Sequence, residues 1–491
     1  MEPKTKSLNH CSVQIALSLV LLAVGFFYVT ALSMSNKLLI VLHGASILLL
    51  GLAIFIRQLR SFLIAVLILC IPLQLDVHLI YDPLKDIEST PFMAGITVDI
   101  TDLVLLFLYA HWFAVVSFRK RSAGIGLGRP FGTLLLLWIA YLFAASILTA
   151  THFRYSVYEV VALLKGFMIF LYLVNNTGEE ADLKLIVYAL FGATVLHAFY
   201  VIGQFITGWN YTLDGTFQQY VGPEGFRSIG FFGSPDATAT MMSFVLPIVI
   251  AYFAVLAGKR GRLLALSGIL VILMAIACTK VRAAGFAVLV SSLIVLLLSY
   301  AKGRISSTLF LKVVVAGLVA LIFTGPLVVK RFEAGTWGED RAPLMMTAVD
   351  MAKDHWLFGV GANNYPLRIS EYVPPKLRSA WAYTVHNEYL LRLAENGLVG
   401  FLMYYLLNFV LLLKLWRLTS SRDPLIFVVS VGLFAAMLGS IPHRLVSYFY
   451  YLNFYLQYCV ILAVTVLMEK LQRQRQSKTL GNESSGRVAL N

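Results

Sequence analysis

Apolar runs long enough to cross a lipid bilayer recur along almost the whole chain, and they limit what it can become. A spanning helix needs about 20 apolar residues. By that measure there are about fourteen runs, at 12–33, 36–55, 60–76, 98–117, 130–150, 155–175, 183–206, 236–256, 262–279, 283–300, 308–329, 386–415, 424–441 and 446–468. Inside a bilayer each backbone N–H and C=O must be satisfied within its own segment, which selects helices. The predicted fold is all-α: a polytopic helical membrane protein of about 14 transmembrane helices, with a long external loop between the eleventh and twelfth. The third run is short. The ninth and tenth are joined only by Lys280, Val281 and Arg282, so a kinked or re-entrant hairpin is an alternative to two full spans.

Composition excludes the soluble classes. The chain is 59% hydrophobic and 13% charged, where a soluble domain carries about a quarter charged residues. Disordered chains lack apolar residues, so disorder does not explain the shortage. The net charge of +14 is spread between apolar runs rather than gathered in one patch, so no nucleic-acid partner is expected. The expected partners of these cations are membrane lipids. Cys11, Cys70, Cys278 and Cys459 lie in or beside apolar runs, without CxxC or His-paired spacing. They read as buried thiols, and neither a metal nor a cofactor is expected. The first run follows Lys4 and Lys6 with no small-residue cleavage site and reads as an uncleaved span.

Lysine and arginine set the orientation. With the N-terminus in the cytoplasm, that side collects Arg57 and Arg60, Arg119 to Arg129, Lys259 to Arg262, Lys302 and Arg304, Lys414 to Arg422, and Lys470 to Arg475. The opposite side takes the acidic connection with Asp76, Asp82, Asp86 and Glu88, and the long connections 207–235 and 330–385. Both termini are then cytoplasmic. The expected organisation is N-terminal transmembrane helices over 1–206, a catalytic region over 207–416 that includes the loop 330–385, transmembrane helices over 417–468, and a disordered tail over 469–491.

Polar residues that persist at a membrane mark function. Four external places stand out. In Gly225–Asp236, glycines admit close backbone approach, Ser234 or Asp236 can cap the next helix, and Arg227 can fork a phosphate. A capped loop with one interfacial arginine is the alternative. In Thr279-Lys280-Val281-Arg282, the cations either snorkel to headgroups or neutralise an anionic leaving group. Beyond Arg341, the positions Met345, Ala348, Val349, Ala352 and Trp356 recur at helical spacing, which predicts an amphipathic helix lying on the membrane surface or on the protein. Gly359-Val360-Gly361-Ala362-Asn363-Asn364 follows as a turn, without the strand and helix context of a nucleotide site. Finally, Val385-His386-Asn387-Glu388-Tyr389 opens the twelfth span, with Arg392, Glu395 and Gly397 behind it. His386 either serves as a general base on an alcohol or is an interfacial histidine satisfied by a carbonyl. His443-Arg444 is a second candidate. GxSxG, HExxH and Walker signatures are missing.

In order, Arg227-Ser228-Ile229-Gly230 to Pro235, Thr279-Lys280-Val281-Arg282-Ala283, Gly359-Val360-Gly361, and His386-Asn387 followed by Glu395-Asn396-Gly397-Leu398-Val399-Gly400 resemble the bacterial O-antigen ligase and polymerase family. The resemblance covers about 220–410. It implies a GT-C-like helical glycosyltransferase in the bacterial inner membrane whose site faces the periplasm. The implied donor is a glycan on undecaprenyl diphosphate, and the implied acceptors are lipid A core, a lipid-linked repeat, another glycan or, in related members, a protein hydroxyl. Position by position it implies His386 as base, with Arg227, Arg282 and, in the loop, Arg341 toward the diphosphate. Lys280 adds charge, and Asn387 joins the substrate contacts. Two positions depart: Pro235-Asp236 stands where the family often has Pro-Asn, and Lys280-Val281 replaces a hydroxyl-bearing pair. A metal-independent, inverting transfer in surface polysaccharide or lipopolysaccharide assembly is the expected activity. Ligase, polymerase and, in a different class, a lipid-linked glycan transporter remain the alternatives.

Overall fold

The computed structural model describes residues 58–73, 77–82, 93–119, 125–210, 221–222, 225–312, 314–315, 341–373, 384–449 and 452–488. The predicted spans 12–33 and 36–55, and most of 308–329, lie outside them, as do the flanks of the long connection, 330–340 and 374–383.

Ten of the predicted runs are helices long and apolar enough to cross a membrane. In chain order the helices are α1 (Leu59–Cys70), α2 (Ile100–Arg119), α3 (Phe131–Thr149), α4 (Phe153–Asn176), α5 (Glu180–Thr207), α6 (Pro235–Val255), α7 (Lys259–Thr279), α8 (Arg282–Ala301), α9 (Arg341–Asp354), α10 (Tyr365–Tyr372), α11 (Glu388–Leu418), α12 (Pro424–Arg444) and α13 (Leu452–Val488). Helix α1 is apolar but short. Two antiparallel pairs, β1 (Val77–Tyr81) with β2 (Gly95–Val98) and β3 (Val221–Gly222) with β4 (Gly225–Phe226), are the strands among the described residues.

Helix starts are written in side chains. Ser234, Asn387 and Asp423 cap α6, α11 and α12 by accepting from Ala237, Leu390 and Ile426 N–H, which satisfies donors that a helix start leaves open. Glu179 and Asp182 form a capping box on α5. Helices α7 and α8 are two separate helices, each long and apolar enough to cross a membrane. Their joint turns on Lys280, a non-glycine residue at φ 56°.

Helices α6, α12 and α13 are the most buried of the spans. Around them α6 and α8 pack on α12, and α13 packs on α4. Lys165 of α4 pins the start of α2 by reaching Asp99 and Asp102, each at 2.8 Å. The basic connections gather at one end of the bundle. There Lys414 pairs with Glu469, Arg475 pairs with Glu180 and Asp423, and Arg304 donates to the Ser421 carbonyl. These bonds hold α13 at Glu469 and Arg475, and the helix is described to Val488. The four candidate places all lie at the other end.

Candidate functional site

Three predicted cations meet where α7 hands over to α8. The Arg227 Nε donates to the Thr279 carbonyl at 3.0 Å, and the Ser228 N–H donates to Cys278 O at 3.2 Å. The loop before α6 is thereby fastened to the C-terminal end of α7, whose carbonyls favour cations. Asn210 donates to the Arg227 carbonyl from the far side. Lys280 leans over Gly225: a Cβ there would sit 3.6 Å from Nζ. Arg282 follows as the first residue of α8. All three cations are half-buried.

A second group forms around His386. Its Nδ1 lies 3.1 Å from the Thr384 carbonyl, and its ring meets Tyr448 edge-on at 5.3 Å. Burial holds the imidazole below its ordinary value of 6.5. The Arg341 charge pushes the same way, while Asp236 and the Thr384 carbonyl pull back. Asp236, in the first turn of α6, is therefore near enough for its charge to act on the histidine. The carbonyl contact that the sequence offered as the rival explanation for His386 is also present. It occupies Nδ1 and is compatible with a base at Nε2. Asn387 spends its side-chain oxygen on capping α11, with Leu390 N–H at 3.1 Å.

The organiser of this second group is the turn after α12, where the sequence pointed to His443-Arg444 but not to Val446, Ser447 or Tyr448. Val446 O accepts from Arg341 at 3.5 Å, Ser447 O accepts from the Glu388 N–H at 3.2 Å, and Tyr448 carries the ring against His386. The two groups share one end of the bundle. Gly439 of α12 touches the Ala287 carbonyl of α8, where a Cβ would come within 2.6 Å. From that crossing, antiparallel α8 and α12 run to Arg282 and Arg444 at the same end. The continuous loop from Arg227 to Asp236 joins the groups along the chain.

Beneath His386 lies a buried charge network. Glu388 Oε1 sits 3.6 Å from Arg444 and 3.9 Å from Arg392, and it accepts from Tyr404 at 3.0 Å. Arg392 lies 3.7 Å from Glu159 of α4 and over the Tyr404 ring. A cavity of about 30 Å³ lined by Glu159, Arg392, Tyr404 and Phe449 adjoins it. Two acids balance two arginines, so the group is neutral as a whole, as burial requires. Glu159 carried a readable signal, a lone acid inside the run 155–175.

The predicted surface helix α9 forms, with a shifted face. It buries Leu344, Thr347, Ala348, Met351 and Ala352, while Met345 and Trp356 are exposed. The helix packs on α11, with Ala348 and Ala352 of the predicted stripe buried. The glycine turn after it is structural. At Gly397, φ 63° and ψ −176° interrupt α11 and release its backbone groups. Ala394 O and Glu395 O accept from Val360 and Gly361 N–H, and Leu398 N–H donates to Trp356 O. Asn363 and Asn364 complete the junction, reaching Met93, Tyr155 and Ser156.

With this geometry in place, comparison with known families gives a match for residues 243–405 to the model described as O-antigen ligase. No curated protein matches the chain. The matched stretch holds Lys280, Arg282, Arg341, His386, Asn387 and the Gly397 junction; Arg227, Asp236 and Arg444 lie outside it.

Proposed function

We propose, from the match of residues 243–405 to the O-antigen ligase family, that the chain moves a glycan from a polyprenyl diphosphate to an acceptor hydroxyl. The observation that carries the reading is the placement of His386 against Tyr448, in the turn whose Val446 carbonyl accepts from Arg341, at the same bundle end as Arg227, Lys280 and Arg282. With Nδ1–H directed at Thr384 O, the Nε2 lone pair takes the proton of the acceptor hydroxyl. The oxygen attacks the anomeric carbon, and the bond from that carbon to the phosphate oxygen breaks. The electron pair leaves on the diphosphate. Attack from the opposite face inverts the anomeric centre.

A diphosphate leaving group needs fixed positive charge near its oxygens. Such preorganised charge contributes about 3–4 kcal/mol per well-placed donor. Arg227, Lys280 and Arg282 supply it, while Arg341 attends the acceptor side beside His386. The lysine- and arginine-rich bundle end faces the cytoplasm, and the site end faces the periplasm of a bacterial inner membrane.

The test is transfer by purified protein in proteoliposomes with a defined glycan on undecaprenyl diphosphate. Supporting data are equal yields of free undecaprenyl diphosphate and glycosylated acceptor, with inverted anomeric configuration. Movement of the intact donor across the bilayer without bond cleavage contradicts the reading. Ligase and polymerase share this chemistry and differ in acceptor. Long chains stranded on the carrier in a deletion strain indicate a ligase, and single repeats indicate a polymerase.

A further inference from the structure

We propose that the turn Trp356–Phe358 is a membrane wedge that seats the α9–α10 segment at the lipid interface. Trp356 and Phe358 are 57% and 40% exposed, although α9 and α10 on either side of them pack into a buried cluster with Leu391 and Ala394 of α11. Their position along α11 is fixed by backbone bonds: Leu398 and Val399 N–H donate to Trp356 O and Leu357 O.

That position is where the spanning part of α11 begins. Before Gly397 the helix carries Glu388, Arg392, Glu395 and Asn396; after it, the exposed residues Leu398, Leu402, Leu406, Phe409, Leu413 and Trp416 fall at helical spacing on one stripe. A stripe of this kind on a spanning helix faces acyl chains. From Leu398 to Trp416 it is about 27 Å long at 1.5 Å per residue, close to the ~30 Å hydrocarbon thickness. Trp416 marks one edge, and Trp356 with Phe358 extends the same apolar surface at the other, as aromatic belts do. The Lys353–Asp350 pair on α9, with side chains 70% and 58% exposed, marks the water side. Continuity with the stripe selects lipid as the occupant. The wedge fixes the depth of α9 and of Arg341 at its start, whether or not the transferase reading holds.

The experiment places nitroxides at Trp356→Cys, Phe358→Cys, Leu402→Cys and Lys353→Cys in full-length protein carrying Cys11→Ser, the described native cysteines being buried. The protein is reconstituted in phosphatidylethanolamine–phosphatidylglycerol vesicles. At 356 and 358, as at 402, collisions with oxygen are expected to exceed those with a water-soluble nickel chelate; at 353 the order reverses. Nickel access at 356 and 358 equal to that at 353 overturns the proposal. So does shielding from both reagents, which means that a second copy or another part of the chain covers the turn. A label-free arm guards against misfolded variants: brominated acyl chains should quench unmodified protein more than Trp356→Phe, and equal fractional quenching contradicts the wedge.

Discussion

The guanidinium of Arg444 lies 3.6 Å from the carboxylate of Glu388, so the end of α12 grips the start of α11 just behind His386. Both side chains are buried. Removing one partner strands the other charge, which costs about 3–5 kcal/mol in buried pairs. Arg444→Met and Glu388→Gln should each lower stability by that order in thermal unfolding within lipid nanodiscs. The double variant should be clearly more stable than the sum of the two losses predicts. Strict additivity would mean that the pair does not act as a unit.

The pH profile reports the field around His386. Its value lies below 6.5, and the neutral ring is the reactive form. The acid limb of kcat/KM should therefore fall below the ordinary histidine range, with activity level above it. Asp236→Asn removes a charge that raises the value, so its limb moves to lower pH. Arg341→Gln removes a charge that lowers it, so its limb moves to higher pH. Shifts in the same direction for both variants would contradict the arrangement.

Arg227 is tied to the α7 end, beside Lys280. Arg227→Ala should reduce kcat by about 10²–10³ if the guanidinium stabilises the leaving diphosphate. Arg227→Lys should recover part of that, since charge returns without the fork. A change confined to KM would assign Arg227 to uniform donor binding instead.

Gly397 occupies a backbone region open essentially to glycine, and a Cβ there would fall 2.3 Å from Leu357 O. Gly397→Ala should destabilise the protein by at least about 1–3 kcal/mol. It should also expose the 356–361 turn to proteolysis. An unchanged digestion pattern would show that the junction tolerates a regular helix.

The spans were legible because hydrophobic length is a local property. Nine of the ten described spans fall where apolar runs predict them, within a few residues, and the last is displaced from 446–468 to Leu452–Ser477. Arg227, Lys280, Arg282, Arg341 and His386 stood out as polar residues at membrane boundaries. What the sequence did not show was long-range pairing. Nothing near Tyr448 or Val446 announces His386 or Arg341, because those contacts follow from how α12 crosses α8 and α11. The face of α9 was misread for a related reason: its partner is α11, and the Gly397 interruption that sets their register is a backbone event.

The most direct measurement is single-turnover transfer by His386→Ala beside wild type, with donor binding measured separately on both. The account predicts donor affinity within a few-fold of wild type and a transfer rate lower by about 10²–10⁴, the usual contribution of a positioned base. A variant that transfers at the wild-type rate, with saturating donor and acceptor, would contradict the role given to His386.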